Sequence, residues 1–250
     1  MLTEDRYREI LQWVAQRGSA TVAELTALLG SSESTVRRDL TALHRMGKLI
    51  KVHGGATALE NSYVAGEDEV SVRHGQNTGE KRRIAAYAAG LIGGGDFCYI
   101  DAGTTTEMLV DALQEREAVY VTNGVVHAQK LAQKGCRTVL LGGEVRAVTD
   151  GIVGGEALAA LGRYHFTKGF FGANGVGLQG GFSTPDLREA QVKETALLHC
   201  GEAFVLADPS KFGKLSSVTF ADLGDAAIVT TRLGDRRYAE KTTVWEVDTL

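Results

Sequence analysis

Proline is nearly absent from this chain, two residues in 250 against 31 glycines, which excludes stiff proline-rich spacers and favours short, tight connections. Cysteine is scarce too. Cys98, Cys136 and Cys200 are odd in number and widely spaced, a pattern for reduced thiols in a cytosolic protein, not for a disulfide frame or a metal site. No run approaches the roughly 18 apolar residues of a membrane span, and Met1-Leu2-Thr3-Glu4-Asp5-Arg6 lacks the basic-then-apolar order of an export signal. The expected location is therefore cytoplasmic, with no membrane partner. A net positive charge is also missing, the total being −4, but the deficit is uneven. Residues 1–58 hold eight Lys/Arg and six Asp/Glu, so they stand at +2 and the remainder at −6. Within 34–55, Arg37, Arg38, Arg45, Lys48 and Lys51 face one acid, Asp39, a local balance of +4. With 44% hydrophobic and 23% charged residues the chain can bury a core, and disorder is not expected.

The length suits a unit of about 60 residues followed by one of about 180. In residues 5–17, Tyr7, Ile10, Leu11 and Val14 form one helical stripe, closed by Gly18. Thr21-Val22-Ala23-Glu24 is a capping box that opens a short helix carrying Val22, Leu25, Leu28 and Leu29. Gly30-Ser31-Ser32 makes a tight turn, with Ser31 or Ser32 as N-cap of a third helix that runs to about Met46 and stops at Gly47. Lys48–Val52 and Ala56–Leu59 flank His53-Gly54-Gly55 as a hairpin. Three helices and a hairpin predict a winged helix-turn-helix over 1–58. Residues 59–79, mixed and polar with the acidic patch Glu67-Asp68-Glu69, read as a linker.

From 80 to 250 helical and apolar runs alternate. Helices are expected at Glu80–Ile92, Thr105–Leu113, Val125–Gln133, Gly154–Leu161 and Leu187–His199. Strands are expected at Phe97–Asp101, Val119–Thr122, Thr138–Leu141, Lys168–Gly172, Ala203–Ala207, Ala226–Thr230 and Thr243–Val247. This alternation predicts a doubly wound, mostly parallel α/β domain, so the whole chain is α/β in class with a helix-turn-helix at its N-terminus.

On the third helix Val36, Leu40 and Leu43 follow i, i+4, i+7 and belong to the core. At about 100° per residue, Ser34, Arg38, Thr41 and Arg45 lie opposite that stripe, with Thr35 and Arg37 on its flanks. Hydroxyls and guanidiniums on one face suit a major groove, since arginine bonds guanine O6 and N7 together and Ser or Thr reaches base edges or phosphates. The second helix of such a pair enters the groove by its N-terminal residues, so Ser34, Thr35, Arg37 and Arg38 are the leading contacts. Lys51 and His53 on the wing can reach neighbouring phosphates. The plain alternative is a solvated helix on which Arg37 pairs with Glu33.

A second candidate site lies where strands end. Ile100-Asp101-Ala102-Gly103-Thr104-Thr105-Thr106 runs from an apolar strand through a small-residue turn into a helix. Three threonine hydroxyls and the free amides of the helix N-terminus suit an anion, at the sheet edge where open α/β folds hold ligands. No Gly-Lys-Ser/Thr follows, so it is not a Walker A loop; a threonine-capped turn without ligand is the alternative. Asn123 in Thr122-Asn123-Gly124 and Lys211 in Ala207–Gly213 end further strands, the lysine offering a cation to a phosphate. Gly172-Ala173-Asn174-Gly175-Val176-Gly177 has the wrong glycine spacing for a dinucleotide loop. The six histidines show no metal spacing, and no Gly-x-Ser-x-Gly elbow occurs. No catalytic residue, metal or cofactor is expected.

Ser34-Thr35-Val36-Arg37-Arg38-Asp39-Leu40, followed by Leu43, Gly47 and Val52-His53-Gly54-Gly55-Ala56, resembles the signature of the DeoR family of sugar-metabolism regulators, and the resemblance continues through nearly the whole chain. It implies a repressor of a sugar-utilisation operon, a homo-oligomer (dimer or tetramer) on double-stranded operator DNA, controlled by a sugar-phosphate effector. Sensor domains of this family resemble ribose-5-phosphate isomerase, which implies a phosphate held by Gly103–Thr106 and Lys211. Where the isomerase has an acidic Asp-Gly-Ala-Asp-Glu run, this chain has Phe171-Gly172-Ala173-Asn174-Gly175, and the enzyme's later helix glutamate corresponds to Glu189. Amide and glycine in place of carboxylates favour hydroxyl recognition by Asn174 over proton transfer. Within the family the sensor half, Ala207–Gly213 included, resembles fructose-operon repressors, which implies fructose 1-phosphate ahead of tagatose or glycerol phosphates. The competing reading is a sugar-phosphate isomerase-like enzyme with an accessory DNA-binding domain.

Overall fold

A computed structural model describes residues 2–17, 19–46, 48–52, 54–57, 62–63 and 70–248. The expected helix stops at Gly18 and Gly47, the wing residue His53 and the acidic patch at 67–69 lie outside them.

The N-terminal unit contains α1 (Thr3–Arg17), β1 (Ser19–Thr21), α2 (Val22–Leu29), α3 (Glu33–Arg45), β2 (Ile50–Val52) and β3 (Gly55–Thr57). The capping box forms: the Thr21 hydroxyl accepts from the Glu24 amide at 3.2 Å and the Glu24 carboxylate accepts from the Thr21 amide at 2.8 Å. Gly30 closes α2 in the left-handed region at φ 58°, which a glycine adopts without a Cβ penalty. Ser32, not Ser31, caps α3, accepting from the Thr35 amide. One apolar cluster joins Ile10, Val14, Leu25, Val36, Leu40, Leu43, Leu49 and Ala56, so three helices and the wing share a core. β1 was not expected. It pairs antiparallel with β3 and makes the wing a three-stranded sheet.

The chain then forms β4 (Ser62–Tyr63), α4 (Val70–Gly75) and α5 (Thr78–Ala89). Part of the expected linker is thus folded. β4 pairs with a later sensor strand, and α4 is tied by the Val70 amide to the Val148 carbonyl at 3.2 Å. Then follow β5 (Phe97–Ile100), α6 (Thr104–Ala112), β6 (Val119–Thr122), α7 (Val125–Gln133), β7 (Arg137–Leu140), β8 (Glu144–Arg146), β9 (Gly151–Val153) and α8 (Gly155–Leu161). The rest comprises β10 (Phe166–Gly172), β11 (Gly175–Gly177), β12 (Gly181–Thr184), α9 (Leu187–Leu198), β13 (Cys200–Leu206), β14 (Lys214–Leu215), β15 (Val218–Ala221), β16 (Ala227–Thr230) and β17 (Val244–Glu246).

Seven strands make one sheet in the order β17-β16-β13-β10-β5-β6-β7, every pair parallel. Successive side chains on a strand point to opposite faces. Ile100, Phe170, Phe204 and Leu206 accordingly pack with α5, α6 and α7, while Tyr99, Phe171 and Val205 pack with α8 and α9. Both faces are covered, which makes the sheet doubly wound. Strand order reverses between β5 and β10, so the loops after these two strands diverge and leave a crevice at their carboxyl ends. A separate antiparallel sheet, β11-β12-β15, and the hairpin β8-β9 flank this crevice. All three cysteines are free thiols. Among the described residues no helix is long and apolar enough to cross a membrane, and no cluster of His, Cys, Asp or Glu is placed to hold a metal ion.

Candidate nucleic-acid interface and ligand cleft

α3 buries Val36, Asp39, Leu40 and Leu43 and exposes Ser34, Arg37, Arg38 and Arg45, with Thr35 and Thr41 half-buried beside them. Asp39 leaves the outer face because it is drawn inward by Arg6 of α1. The guanidinium donates Nε to Oδ2 at 2.7 Å and Nη2 to Oδ1 at 3.2 Å. The one acid of the basic stretch is thereby neutralised inside, and the outer face keeps its positive charge. Ser32, Ser34 and Thr35 hydroxyls are linked at 2.9 and 3.0 Å at the helix N-terminus. Arg37 does pair with Glu33 at 3.3 Å, but both are exposed, so the pair is weak and exchangeable. Arg38 and Arg45 have no ion-pair partner among the described residues. The wing is fastened to this face: Lys51 Nζ donates to Thr41 Oγ1 at 2.8 Å, and that hydroxyl donates to the Arg37 carbonyl at 2.8 Å. Helix and wing therefore present one continuous row of donors.

The crevice holds a cleft of about 520 Å³, counting its open mouth, whose lining includes Arg73, Lys81, Gly103, Thr104, Thr105, Asn174, Glu189, Lys193 and Lys211. At the α6 end the first helical bond runs from the Glu107 amide to the Gly103 carbonyl at 2.8 Å, so the amides of Thr104, Thr105 and Thr106 precede the ladder. Lys81 donates to Thr104 Oγ1 at 2.9 Å and to the Arg73 carbonyl at 2.5 Å. Burial pushes the Lys81 ammonium down to about 8; Asp208 opposes this, and Lys211 and Arg73 add to it. A half-buried ammonium with two further cations and one carboxylate around it is a perturbed group of the kind found at binding sites. Lys211 sits on a short 3-10 turn after β13, Pro209–Lys211. The Asp208 carboxylate caps this turn, accepting from the Ser210 amide and the Asn77 side chain, each at 2.9 Å.

A second cluster faces it. Asn174 follows β10, its amide donates to the Ser183 carbonyl at 2.9 Å, and its side-chain oxygen accepts from Thr184 Oγ1 at 3.2 Å. Glu189, in the first turn of α9, takes Arg146 Nη1 at 3.1 Å and the Thr149 hydroxyl on one oxygen, and Thr184 Oγ1 at 3.3 Å on the other. Beneath the floor, Asp101 is ion-paired with Lys193 and accepts the Gly172 amide at 3.0 Å. Burial raises the Asp101 carboxyl above its ordinary range against the pull of Lys193.

The expected residues divide accordingly. Gly103, Thr104, Thr105, Asn174, Glu189 and Lys211 line one cleft. Three do not. Asp101 lies under the floor, locked by Lys193. Thr106 turns its hydroxyl to the Gly103 carbonyl at 2.8 Å and to His127 Nε2 at 3.1 Å. Asn123 is spent on the frame: its oxygen accepts from the Ala102 amide at 2.8 Å and the Tyr99 hydroxyl at 3.1 Å, and its nitrogen donates to the Ile152 carbonyl at 3.2 Å. Arg73, Lys81 and Lys193 were missed. Lys81 shares the stripe of Ile84, Ala85 and Ala88, and Lys193 that of Ala190, Ala196 and Leu197. A cation at an apolar position of a helix was the available signal.

Comparison with known proteins follows this division. A family profile described as a DeoR-like helix-turn-helix domain matches residues 6–62, and one described as a DeoR C-terminal sensor domain matches residues 76–232. The chain is 42% identical over 248 residues to a Bacillus subtilis protein named as the uncharacterised helix-turn-helix-type transcriptional regulator FruR, covering 98% of each. It is 35% identical over 239 residues to the lactose phosphotransferase system repressor of Streptococcus mutans, covering 94% of each. Among solved structures, ribose 5-phosphate isomerase A of Methanocaldococcus jannaschii aligns with 55% of each chain at 18% identity and a TM-score of 0.39. The beta subunit of eIF2B from Chaetomium thermophilum aligns with 66% of this chain and 54% of its own at 18% identity and a TM-score of 0.44.

Proposed function

Because this chain belongs to the DeoR family of transcription regulators, we propose that α3 and the wing read operator DNA and that a phosphorylated sugar in the cleft controls the grip. Ser34, Thr35, Arg37 and Arg38 contact base edges, while Thr41, Arg45 and Lys51 hold phosphates. The observation that carries the sensor half is the meeting of two clusters at one switch point. Arg73, Lys81, Lys211 and the α6 amides suit a phosphate, and Asn174 with the Glu189 network suits hydroxyls. The repressor reading is supported by relatives named as lactose phosphotransferase system repressors. The protein works in the cytoplasm as a symmetric dimer or tetramer on paired half-sites, and fructose 1-phosphate is the first effector to test.

The sugar is detected, not converted. Isomerisation needs a free base over the sugar carbons. Here the Asp101 carboxylate is engaged by Lys193 and the Gly172 amide, and both Glu189 oxygens are engaged by Arg146, Thr149 and Thr184. The test is a gel-shift titration on the protein's own promoter fragment. Arg38→Ala abolishes the specific shift with the sensor intact, and Lys211→Ala keeps the shift but blunts the effector response. An unchanged shift for Arg38→Ala removes the groove assignment, an unchanged response for Lys211→Ala removes the lysine from the pocket, and turnover of pentose or hexose phosphates overturns the receptor reading.

A further inference from the structure

The cleft is not built from the α/β domain's alternating elements alone. Arg73 comes from α4, the helix in the stretch that leads from the wing into the sensor. α4 is six residues long and buries none of them, so apolar packing does little to hold it. Its ties include polar ones: the Val70 amide to the Val148 carbonyl at 3.2 Å, the Lys81 ammonium to the Arg73 carbonyl at 2.5 Å, and His74 Nε2 to Glu107 Oε2 at 3.1 Å. The other edge of the cleft has a matching connection. Lys211 lies three residues before β14, whose Lys214 and Leu215 pair with Ser62 and Tyr63 of β4. The incoming chain thus touches the sensor beside both cationic edges of the cleft, once through β4 and once through α4.

We propose that Arg73 is a phosphate ligand delivered by this connecting stretch, so that an anion in the cleft fastens α4 to the Gly103–Thr105 turn. The inference rests on reading the cleft as an anion site. Lys211 and Arg73 each disfavour the Lys81 ammonium, and Asp208 offsets them. A phosphate placed among them reverses the sign of that interaction and gains a guanidinium fork suited to its oxygens. The energy of binding is then shared between the sensor floor and the stretch that leads to the reader, which is what a coupling between two sites requires.

Hydrogen exchange on the full chain, titrated with inorganic phosphate against potassium chloride at matched ionic strength, tests it. Phosphate is expected to slow exchange at 102–107 and at 70–75 together, with one midpoint. In Arg73→Ala the midpoint rises about tenfold, protection persists at 102–107 and is lost at 70–75. Arg73→Lys, which keeps the charge and loses the fork, falls between the two and serves if the alanine variant does not fold. Protection at 102–107 without protection at 70–75 in the unaltered protein overturns the role of α4 and leaves the anion cleft standing. Protection at both in Arg73→Ala, unchanged in midpoint, overturns the role of Arg73. No saturable protection at either segment overturns the anion cleft and the proposal with it.

Discussion

At the scale of single residues, the charge states of two buried groups set measurable pH windows. Lys81 titrates near pH 8 because burial disfavours its ammonium, with Lys211 and Arg73 adding repulsion and Asp208 partly offsetting them. A bound phosphate stabilises the charged form, so above about pH 8 binding must take up a proton and affinity falls, at most about tenfold per pH unit. A sugar phosphate becomes a dianion above about pH 6. Calorimetric affinity for fructose 1-phosphate is therefore expected to level off between about 6 and about 8, and the alkaline limb is expected to vanish in Lys81→Met, whose affinity is about 10- to 100-fold lower. An alkaline limb that survives the substitution assigns it to another group. His127 works in the opposite sense. Burial holds its imidazole neutral down to about pH 4, below the ordinary 6.5. Between these values the unfolded chain binds a proton that the folded chain refuses, so stability is complete above 6.5 and declines as pH falls towards 4, by on the order of 3 kcal/mol. Denaturant unfolding at pH 7 and 4.5 reads this, with a shallower decline in His127→Gln. Much of the cleft was legible at this scale, since Gly103, Thr104, Thr105, Asn174, Glu189 and Lys211 converge as strand-end residues do. Lys81 was hidden because Glu80-Lys81-Arg82-Arg83 looks like a solvated helix face until its register with Ile84 and Ala88 is counted. Asn123 misled because a polar residue at a strand end can serve the frame as readily as a ligand.

At the scale of elements, local chemistry decided what could be foreseen. The capping box, the Ser32 cap and the left-handed Gly30 each act within four residues, so α2 and α3 were readable almost to the residue. The seven sheet strands were readable as apolar runs because a parallel sheet covered on both faces tolerates few polar positions. β8, β9, β11 and β12 were not: they are three or four residues long, too short to show a pattern, and only tertiary pairing makes them strands. β1 escaped for the same reason, yet it fixes the wing. A Cβ on Gly55 would stand 2.1 Å from the Ala20 carbonyl oxygen. Gly55→Ala is therefore expected to separate β3 from β1 and abolish DNA binding while sugar-phosphate binding stays intact. Thr21→Ala, which removes only the cap, is expected to lower reader stability by about 1 kcal/mol with the gel shift retained. A Gly55→Ala protein with an unaltered shift denies the β1–β3 pairing its part in placing the wing.

At the scale of the whole molecule, charge and core are partitioned in the same way. The reader carries the positive balance and its own apolar cluster; the sensor carries the negative balance and two clusters, one on each face of its sheet. Separate cores predict separate cooperative units, which meet through the stretch that contains β4 and α4 and also where α1 touches the Pro209–Lys211 turn. The chain's order of elements announced these two units, but the pairing of β4 with β14 joins residues more than 100 positions apart, and α4 is tied to Val148 and Glu107 well along the chain, which no local pattern encodes. A ligand that binds one folded unit stabilises that unit by about 2.7 kcal/mol at a hundred times its dissociation constant. Scanning calorimetry of the full chain should then show two transitions. Saturating sugar phosphate raises one and operator DNA raises the other. The size of any cross-effect, DNA on the sensor transition or sugar phosphate on the reader transition, measures the coupling between the sites directly and by linkage must be equal in both directions. Two transitions that each ignore the other's ligand would leave a protein that binds both partners and regulates nothing, and the control of DNA binding by the cleft would have to be abandoned.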